Sequence, residues 1–372
     1  MNRVAIVGCG VVGAAIAYEL SQFPDLEIIV LDHQPPAQAA TGAALGVLMG
    51  IISHKVKGRT WQLRQASMRR YETLIPELQE LTGCTIPFNQ HGILSLCFTA
   101  KDLARWQELA NIRRSQAWPL EIWSVEQLQA RCPQLKTDQV VAAIYSPRDR
   151  QVDPTALTLA LVAAAKRNGV TFRFGEPVQG FDCSSVAVPE NSLVCQHLQT
   201  STTQLSVDWI VIAAGLGSTS LTATADHRIE LRPVLGQALQ AQLTQPLGHQ
   251  DFQPVINGDD IHIVPLGQGQ YWLGATVEFP PDTEVQDWDT LQPEADRLQA
   301  VLAGAIAFCP ALADAKIVKT WSGLRPRPQG QPAPIIGPLP GYHNVLMATG
   351  HYRNGVLLAP ATAQRVRELI RQ

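Results

Sequence analysis

Residues 3–32 read RVAIVGCGVVGAAIAYELSQFPDLEIIVLD, and this stretch decides the fold. Arg3 to Val7 is a short run rich in β-branched side chains, which reads as a buried parallel strand. Gly8, Gly10 and Gly13 follow at once, and Val12 to Leu20 then has helical composition. Glu27 to Leu31 is a second apolar strand, and it ends at Asp32. The order strand, glycine turn, helix, strand, acid fits a dinucleotide-binding βαβ unit. The first glycine permits the tight turn, the second lets backbone approach a pyrophosphate, and the third lets helix and strand pack closely. The helix N-terminus offers free N–H groups and a positive dipole end to phosphate. Asp32 can accept hydrogen bonds from both ribose hydroxyls, which argues against a cofactor phosphorylated there. The unit alone does not separate NAD from FAD.

Outward from this unit, the 372 residues suffice for about two domains. Hydrophobic residues make up 46% and charged residues 16%, enough to bury a large core. The net charge of −3 gives no general attraction to nucleic acid or anionic membrane. The seven cysteines, Cys9, Cys84, Cys97, Cys132, Cys183, Cys195 and Cys309, form no C-x-x-C pair and no metal-spaced cluster. They are expected to be free thiols in a reducing compartment, with neither disulfides nor a zinc site. The apolar stretch Val4 to Tyr18 contains three glycines and no cleavage-site pattern, so it is not read as a signal peptide. No segment reaches the ~20 apolar residues of a membrane span. A soluble cytoplasmic protein is expected.

Three later segments bear on the cofactor. Ala40 to Gly46 (ATGAALG) is a loop of small residues able to lie close to a ligand. Trp209 to Gly217 is an apolar strand ending in glycines. Gly350 to Gly355 (GHYRNG) is a second glycine turn opening a helical run to Ile370. With Tyr145–Pro154 (YSPRDRQVDP), Arg232–Gln237 (RPVLGQ), Ile263–Gly267 (IVPLG), Thr320–Pro326 (TWSGLRP) and the extension to Pro360, the chain resembles the D-amino-acid oxidase superfamily. The resemblance is strongest to its glycine-oxidase-like branch.

That resemblance implies an α/β fold: a Rossmann-type FAD-binding domain plus an α+β substrate domain with a mostly antiparallel sheet. The expected division assigns 1–85, 141–230 and 320–372 to the cofactor, and 86–140 and 231–319 to the substrate. Strands recurring between Arg232 and Ala275, and helical patterns at 61–81 and 101–115, agree with it. Residues 183–208 read as a surface hairpin and 280–284 as a loop.

The resemblance places FAD against Gly8, Gly10, Val11, Val12, Gly13, Asp32 and His33. It adds Thr41, Gly42, Ala43, Ala44 and Gly46, then Val178, then Ala213, Ala214 and Gly215. From the last turn it adds Gly350, His351, Arg353, Asn354, Gly355 and Val356. FAD is expected to be non-covalent, because Val318 to Gly323 lacks the cysteine that covalent relatives use.

The implied reaction is oxidation of a small amino acid or amine (glycine, sarcosine or a D-amino acid) by hydride transfer to flavin. An imine that hydrolyses is the product, and oxygen or a quinone-type acceptor takes the electrons. The protein's task is to fix the α-carbon, and arginine holds a carboxylate through two parallel bonds. Arg325 is the first candidate anchor and Arg353 the second. His262 stands where the branch often has a substrate-touching tyrosine. If it faces the pocket, carboxylate binding would depend on pH near neutrality. Arg327, in an Arg-Pro-Arg-Pro run that departs from the family's Asp-Gly turn, reads as solvated. His351 reads as cofactor-adjacent, and His54 as a weaker candidate for tuning the flavin. An NAD-linked dehydrogenase and a non-catalytic flavin-bound scaffold are the competing readings. A homo-oligomer is open.

Overall fold

A computed structural model describes residues 2–185, 192–223, 228–280 and 293–372. The strands Asn2–Val7 and Leu26–Asp32 pair in parallel, joined by the helix Val11–Leu20. They form the middle of a six-stranded sheet. Trp209–Ile212 pairs in parallel on one side and Thr171–Phe174 on the other. Val345–Thr349 follows in parallel, and Ile335–Pro338 closes that edge antiparallel.

Alternation along the first strand assigns its two faces. Val4 and Ile6 pack with the helices Val11–Leu20, Gly58–Thr82, Pro154–Arg167 and Gly355–Ile370. Ala5 and Val7 pack on the other side against an antiparallel sheet of Val178–Ser185, Leu193–Thr200 and Gln204–Ser206. A strand apolar on both faces is what a covered parallel sheet requires. The third motif glycine explains the close contact of helix and strand: a Cβ on Gly13 would lie 1.9 Å from the Gly8 carbonyl oxygen.

The small antiparallel sheet falls where the hairpin was expected, and it corrects the cysteine reading. Cys183 and Cys195 face each other across its first two strands and form a disulfide. Spacing motifs missed it because a hairpin brings together residues 12 apart in sequence. Cys9, Cys84, Cys97, Cys132 and Cys309 are free.

The second large sheet has eight strands, all antiparallel except for one pair. In order they are Lys316–Pro328, Leu231–Gln242, Gln270–Gly274, Ile261–Gly267, Val255–Gly258, Ile93–Cys97, Ala142–Ser146 and Glu121–Trp123. Ala142–Ser146, expected with the cofactor half, therefore sits in this sheet, and Lys316–Pro328 runs through the expected boundary at residue 320. One face packs on the helix Ala295–Phe308 through Ile263, Leu273 and Leu239. The other face, with Ala238, Val264 and Trp272, meets Leu45, Val47 and Met49 from the loop after the second strand.

A three-stranded sheet of Val47–Leu48, Arg150–Val152 and Phe88–Asn89 ties that loop to the YSPRDRQVDP motif. Asp153 accepts from the Ala156 amide at 2.8 Å and caps the helix that Pro154 begins. The expected loop at 280–284 lies, beyond Pro280, outside the described residues. Among the described residues no helix is long and apolar enough to cross a membrane.

Candidate active site

At the N-terminal turn, the Asp32 carboxylate accepts from the Cys9 amide at 2.6 Å and the Gln34 amide at 2.9 Å. His33 Nδ1 lies 3.1 Å from it, with the His33 ring mostly exposed. The acid is thus pinned to the glycine turn, with lone pairs remaining for a ligand's hydroxyls. Thr41 comes over from the small-residue loop, and its hydroxyl accepts from the Val11 amide at 3.0 Å. First-turn amides have no intrahelical acceptor. Thr41 takes one of them, and Val12 and Gly13 complete the turn.

The Ala213 amide donates to Val7 at 2.8 Å, which brings Ala213, Ala214 and Gly215 to the same sheet end. Val178 packs in one cluster with Ala214. A Cβ on Gly215 would meet nothing within 4 Å, so this end is open. A pinned acid, a glycine-flanked helix start and open space suit an adenosine diphosphate, the shared part of FAD.

The other half of the site lies on the sheet face toward residues 43–49. Trp321, Gly323, Arg325 and Arg327 alternate onto one face of the strand Lys316–Pro328. Trp321 Nε1 donates to the Ala43 carbonyl at 3.0 Å, and Gly323 packs against Ala43, locking the loop of Ala43, Ala44 and Gly46 to this strand. Arg325 Nη1 donates to the Leu235 carbonyl at 3.0 Å. Its guanidinium crosses the neighbouring strand over Gly236, where any Cβ would lie 2.3 Å from a guanidinium nitrogen. Burial first, and then Arg353, push the Arg325 pKa down.

Arg353 is exposed, with Asp260 at 3.9 Å as its ion-pair partner. His262 lies on the strand Ile261–Gly267, opposite Gly274, and Val264 shares its face. Its Nδ1 is buried and has no hydrogen-bond partner. Burial, then Arg353 and Arg325, drive its pKa to about 4, with Asp260 opposing. The structure therefore brings Arg325, Arg353 and His262 together. It also corrects the expected ionisation of His262, which is neutral at physiological pH because burial and two guanidiniums disfavour its cation.

His351 is buried, and its Nε2 pairs with Thr362 Oγ1 at 2.9 Å, tying the glycine turn to the following helix. That nitrogen serves the fold and is not presented to a ligand. Asn354 Oδ1 accepts from Arg64 at 2.9 Å, and Gly350 packs on Pro328 and Leu231. Gly355 and Val356 begin the helix, and the Val356 carbonyl accepts from the Tyr71 hydroxyl. Gly42 packs on the Ala37 carbonyl. His54 is exposed against Trp106, at 4.5 Å between ring centroids.

The family model described as DAO, FAD dependent oxidoreductase, matches residues 3–369. This chain belongs to the DAO family of FAD-dependent oxidoreductases. A bifunctional protein ThiO/ThiG from Synechocystis sp. is 34% identical over 99% of this chain and 51% of its own length. The chain thus spans about half the length of such bifunctional relatives. A glycine oxidase from Bacillus licheniformis is 28% identical over 98% of this chain and 92% of its own. Among solved structures, glycine oxidase from Geobacillus kaustophilus superposes with TM-score 0.86 at 26% identity, covering 100% of this chain and 95% of that one. FAD is the cofactor of the family, and the N-terminal turn fits it.

In this DAO-family chain, three further side chains shape the site: Asp149 falls within the YSPRDRQVDP motif, while Arg113 and Arg64 have no local sequence signature. Asp149 is fully buried and accepts from the Gly50, Ile51 and Ile52 amides, each at 2.8 Å. Arg113 is equally buried over Trp61, and donates to the carbonyls of Ile51, Ser53 and Lys55. Arg64 joins the Met49 carbonyl, at 2.6 Å, to Asn354. Together they fix the segment 49–55 against the turn that carries Arg353. Beside Arg325, Gln237 donates to Glu278 Oε1 at 3.0 Å, and the Thr276 hydroxyl donates to the same oxygen. Tyr352, in the left-handed region at φ 54°, leans toward the arginines.

Proposed function

We propose that this oxidoreductase oxidises a small amino acid, with glycine, sarcosine or a D-amino acid as the class. The supporting observation is the convergence of Arg325 and Arg353 beside the unpartnered Nδ1 of His262. FAD, when bound, would supply the acceptor for the hydride, and with it the two electrons, that leave the α-carbon. The chain's own residues do the rest. Arg325 has one nitrogen committed to Leu235 and keeps the rest of its fork for a carboxylate. Arg353, loosely held by Asp260, supplies a second cationic donor. Neutral His262 offers Nδ1 as a directional hydrogen-bonding group where a charged imidazole would add a third cation. Met49, at the head of the segment 49–55, packs on the sheet face that carries Val264 and Trp272.

The N-terminal turn and Asp32 take the phosphates and ribose, through the residues placed above, and the FAD is non-covalent. This assigns the phosphate side and the substrate side to separate parts of the molecule.

The test is anaerobic reduction of the flavin by glycine, sarcosine, proline and paired D- and L-amino acids. Bleaching by glycine, sarcosine or a D-amino acid, faster than by any L form, is expected. Faster reduction by L forms would refute the pocket geometry. Failure of every amine would favour a flavin-bound scaffold instead. Repeating turnover in air and with a quinone separates the two acceptors.

A further inference from the structure

The Arg-Pro-Arg-Pro run continues the cationic face beyond Arg325. Arg327 is two residues on, on the same face of the strand, so the two side chains leave the backbone roughly 6–7 Å apart. It lies over the Phe279 ring at 5.3 Å and the Tyr352 ring at 5.9 Å. Phe279 is 61% exposed, unusual for so large an apolar ring. Tyr352 is held in a left-handed conformation that costs a non-glycine residue free energy. Both features make sense if the rings hold a cation in place. A guanidinium stacked by its faces keeps its N–H edge for an anion.

The backbone is stiff at the same point. Pro326 pairs with Pro233 on the neighbouring strand, and Pro328 pairs with Leu231. Fixed φ angles on either side of Arg327 lower the cost of ordering it on binding. Among the described residues, the acids nearby are occupied. Glu278 Oε1 takes bonds from Gln237 and Thr276, Asp260 faces Arg353, and Glu230 lies 3.5 Å from Arg232, which pairs across from Arg327.

We infer that Arg327 reads a second carboxylate, so that the preferred substrate is a short dicarboxylic amino acid. Arg325 takes the α-carboxylate, and Arg327, clamped by Phe279 and Tyr352, takes the one on the side chain. Arg327 is exposed in the structure, as the sequence reading had it, and its selectivity rests on the two rings beside it rather than on burial. The inference rests on the amino-acid-oxidase reading above.

D-glutamate and D-glutamine are nearly isosteric and differ in the charge of the side-chain terminus. The parent holoenzyme is expected to favour D-glutamate in kcat/KM, mainly through KM. Arg327→Gln should lower the glutamate-to-glutamine ratio about 10- to 100-fold, the size of a lost charge-assisted contact. Arg327→Lys should restore part of it, and Phe279→Leu should lower it less, by loosening the clamp. FAD absorbance and melting temperature of each variant, matched to the parent, separate selectivity from misfolding. A parent without preference for D-glutamate overturns the inference, as does a preference that survives Arg327→Gln. Reduction by neutral amino acids alone overturns it too, yet leaves the oxidase reading standing. If no amino acid reduces the flavin, both fall.

Discussion

The segment 49–55 and the face around Arg325 both gather charged side chains, and they treat them in opposite ways. In the first, Asp149 and Arg113 are fully buried, and their partners are backbone amides and carbonyls of one loop. Burial pushes the Asp149 carboxyl up, and the amides of Ile51 and Ile52 oppose that shift without cancelling it. In the second, burial and then the neighbouring Arg353 lower the Arg325 pKa, and a buried imidazole nitrogen has no partner. A satisfied buried network holds structure. A cationic face with unmet hydrogen-bonding capacity is poised for an anion from outside. Substitutions in the first region should therefore act on stability, and those in the second on turnover.

The contrast is broken or sharpened by five measurements. Asp149→Ala leaves three buried amides without their acceptor and takes a negative charge from beside Arg64 and Arg113, and should cost about 3–5 kcal/mol of unfolding free energy. Denaturant titration checks it, and a parental midpoint would remove the cradle from the scaffold.

Arg325→Ala should leave the protein folded and yellow while kcat/KM falls by about 30- to several-thousand-fold, the equivalent of roughly 2–5 kcal/mol. Loss of flavin instead would move Arg325 to the cofactor side.

His351 tests the fold by acid. Its pKa is depressed by burial from 6.5 to about 4, so the unfolded chain takes up the proton first. Stability from the neutral ring is complete above pH 6.5 and drains away toward pH 4, at most about 3 kcal/mol. His351→Gln keeps a partner for Thr362 and should flatten that acid limb in a series of melting curves.

Asp32→Ala should weaken FAD binding by about 1.5–3 kcal/mol, read by fluorescence titration of the apoprotein. Affinity equal to the parent would take Asp32 out of the ribose site.

The smallest effect is at His262. Between pH 6 and 8 its contribution to substrate affinity should be flat, and His262→Phe should not alter the shape of that profile. A titration near pH 7 that vanishes in the variant would show the ring to be less buried than the structure has it.

The parts legible in the sequence share one property: their partners are close in the chain or repeat a known spacing. The glycine turn, the helix after it and Asp32 fall within one βαβ unit, and the structure assembles them as read. Arg325 was legible from its small and aromatic neighbours, although Gly236, which makes room for its guanidinium, is 89 residues away. The motif that holds Asp149 was legible but its role was not, because it acts on amides 97 to 99 residues earlier. The disulfide and the pairing of Gln237 with Glu278 were hidden for the same reason. His262 was noticed, but its titration was misjudged, since burial and two arginines from other elements set it.

The strand Lys316–Pro328 carries a last consequence, for how such a protein changes over generations. It is an edge strand among the described residues, and its alternate positions do separate jobs in sequence: Trp321 and Gly323 grip the loop at Ala43, while Arg325 and Arg327 follow on the same face and are the ones proposed to meet the substrate. A change at its last inward position leaves the grip untouched and meets no second neighbouring strand. New substrates can be tried at residue 327 one substitution at a time, with cofactor binding and the α-carboxylate anchor already in place. Dicarboxylate selectivity is then the kind of trait a lineage can acquire or discard quickly, on a framework that stays the same.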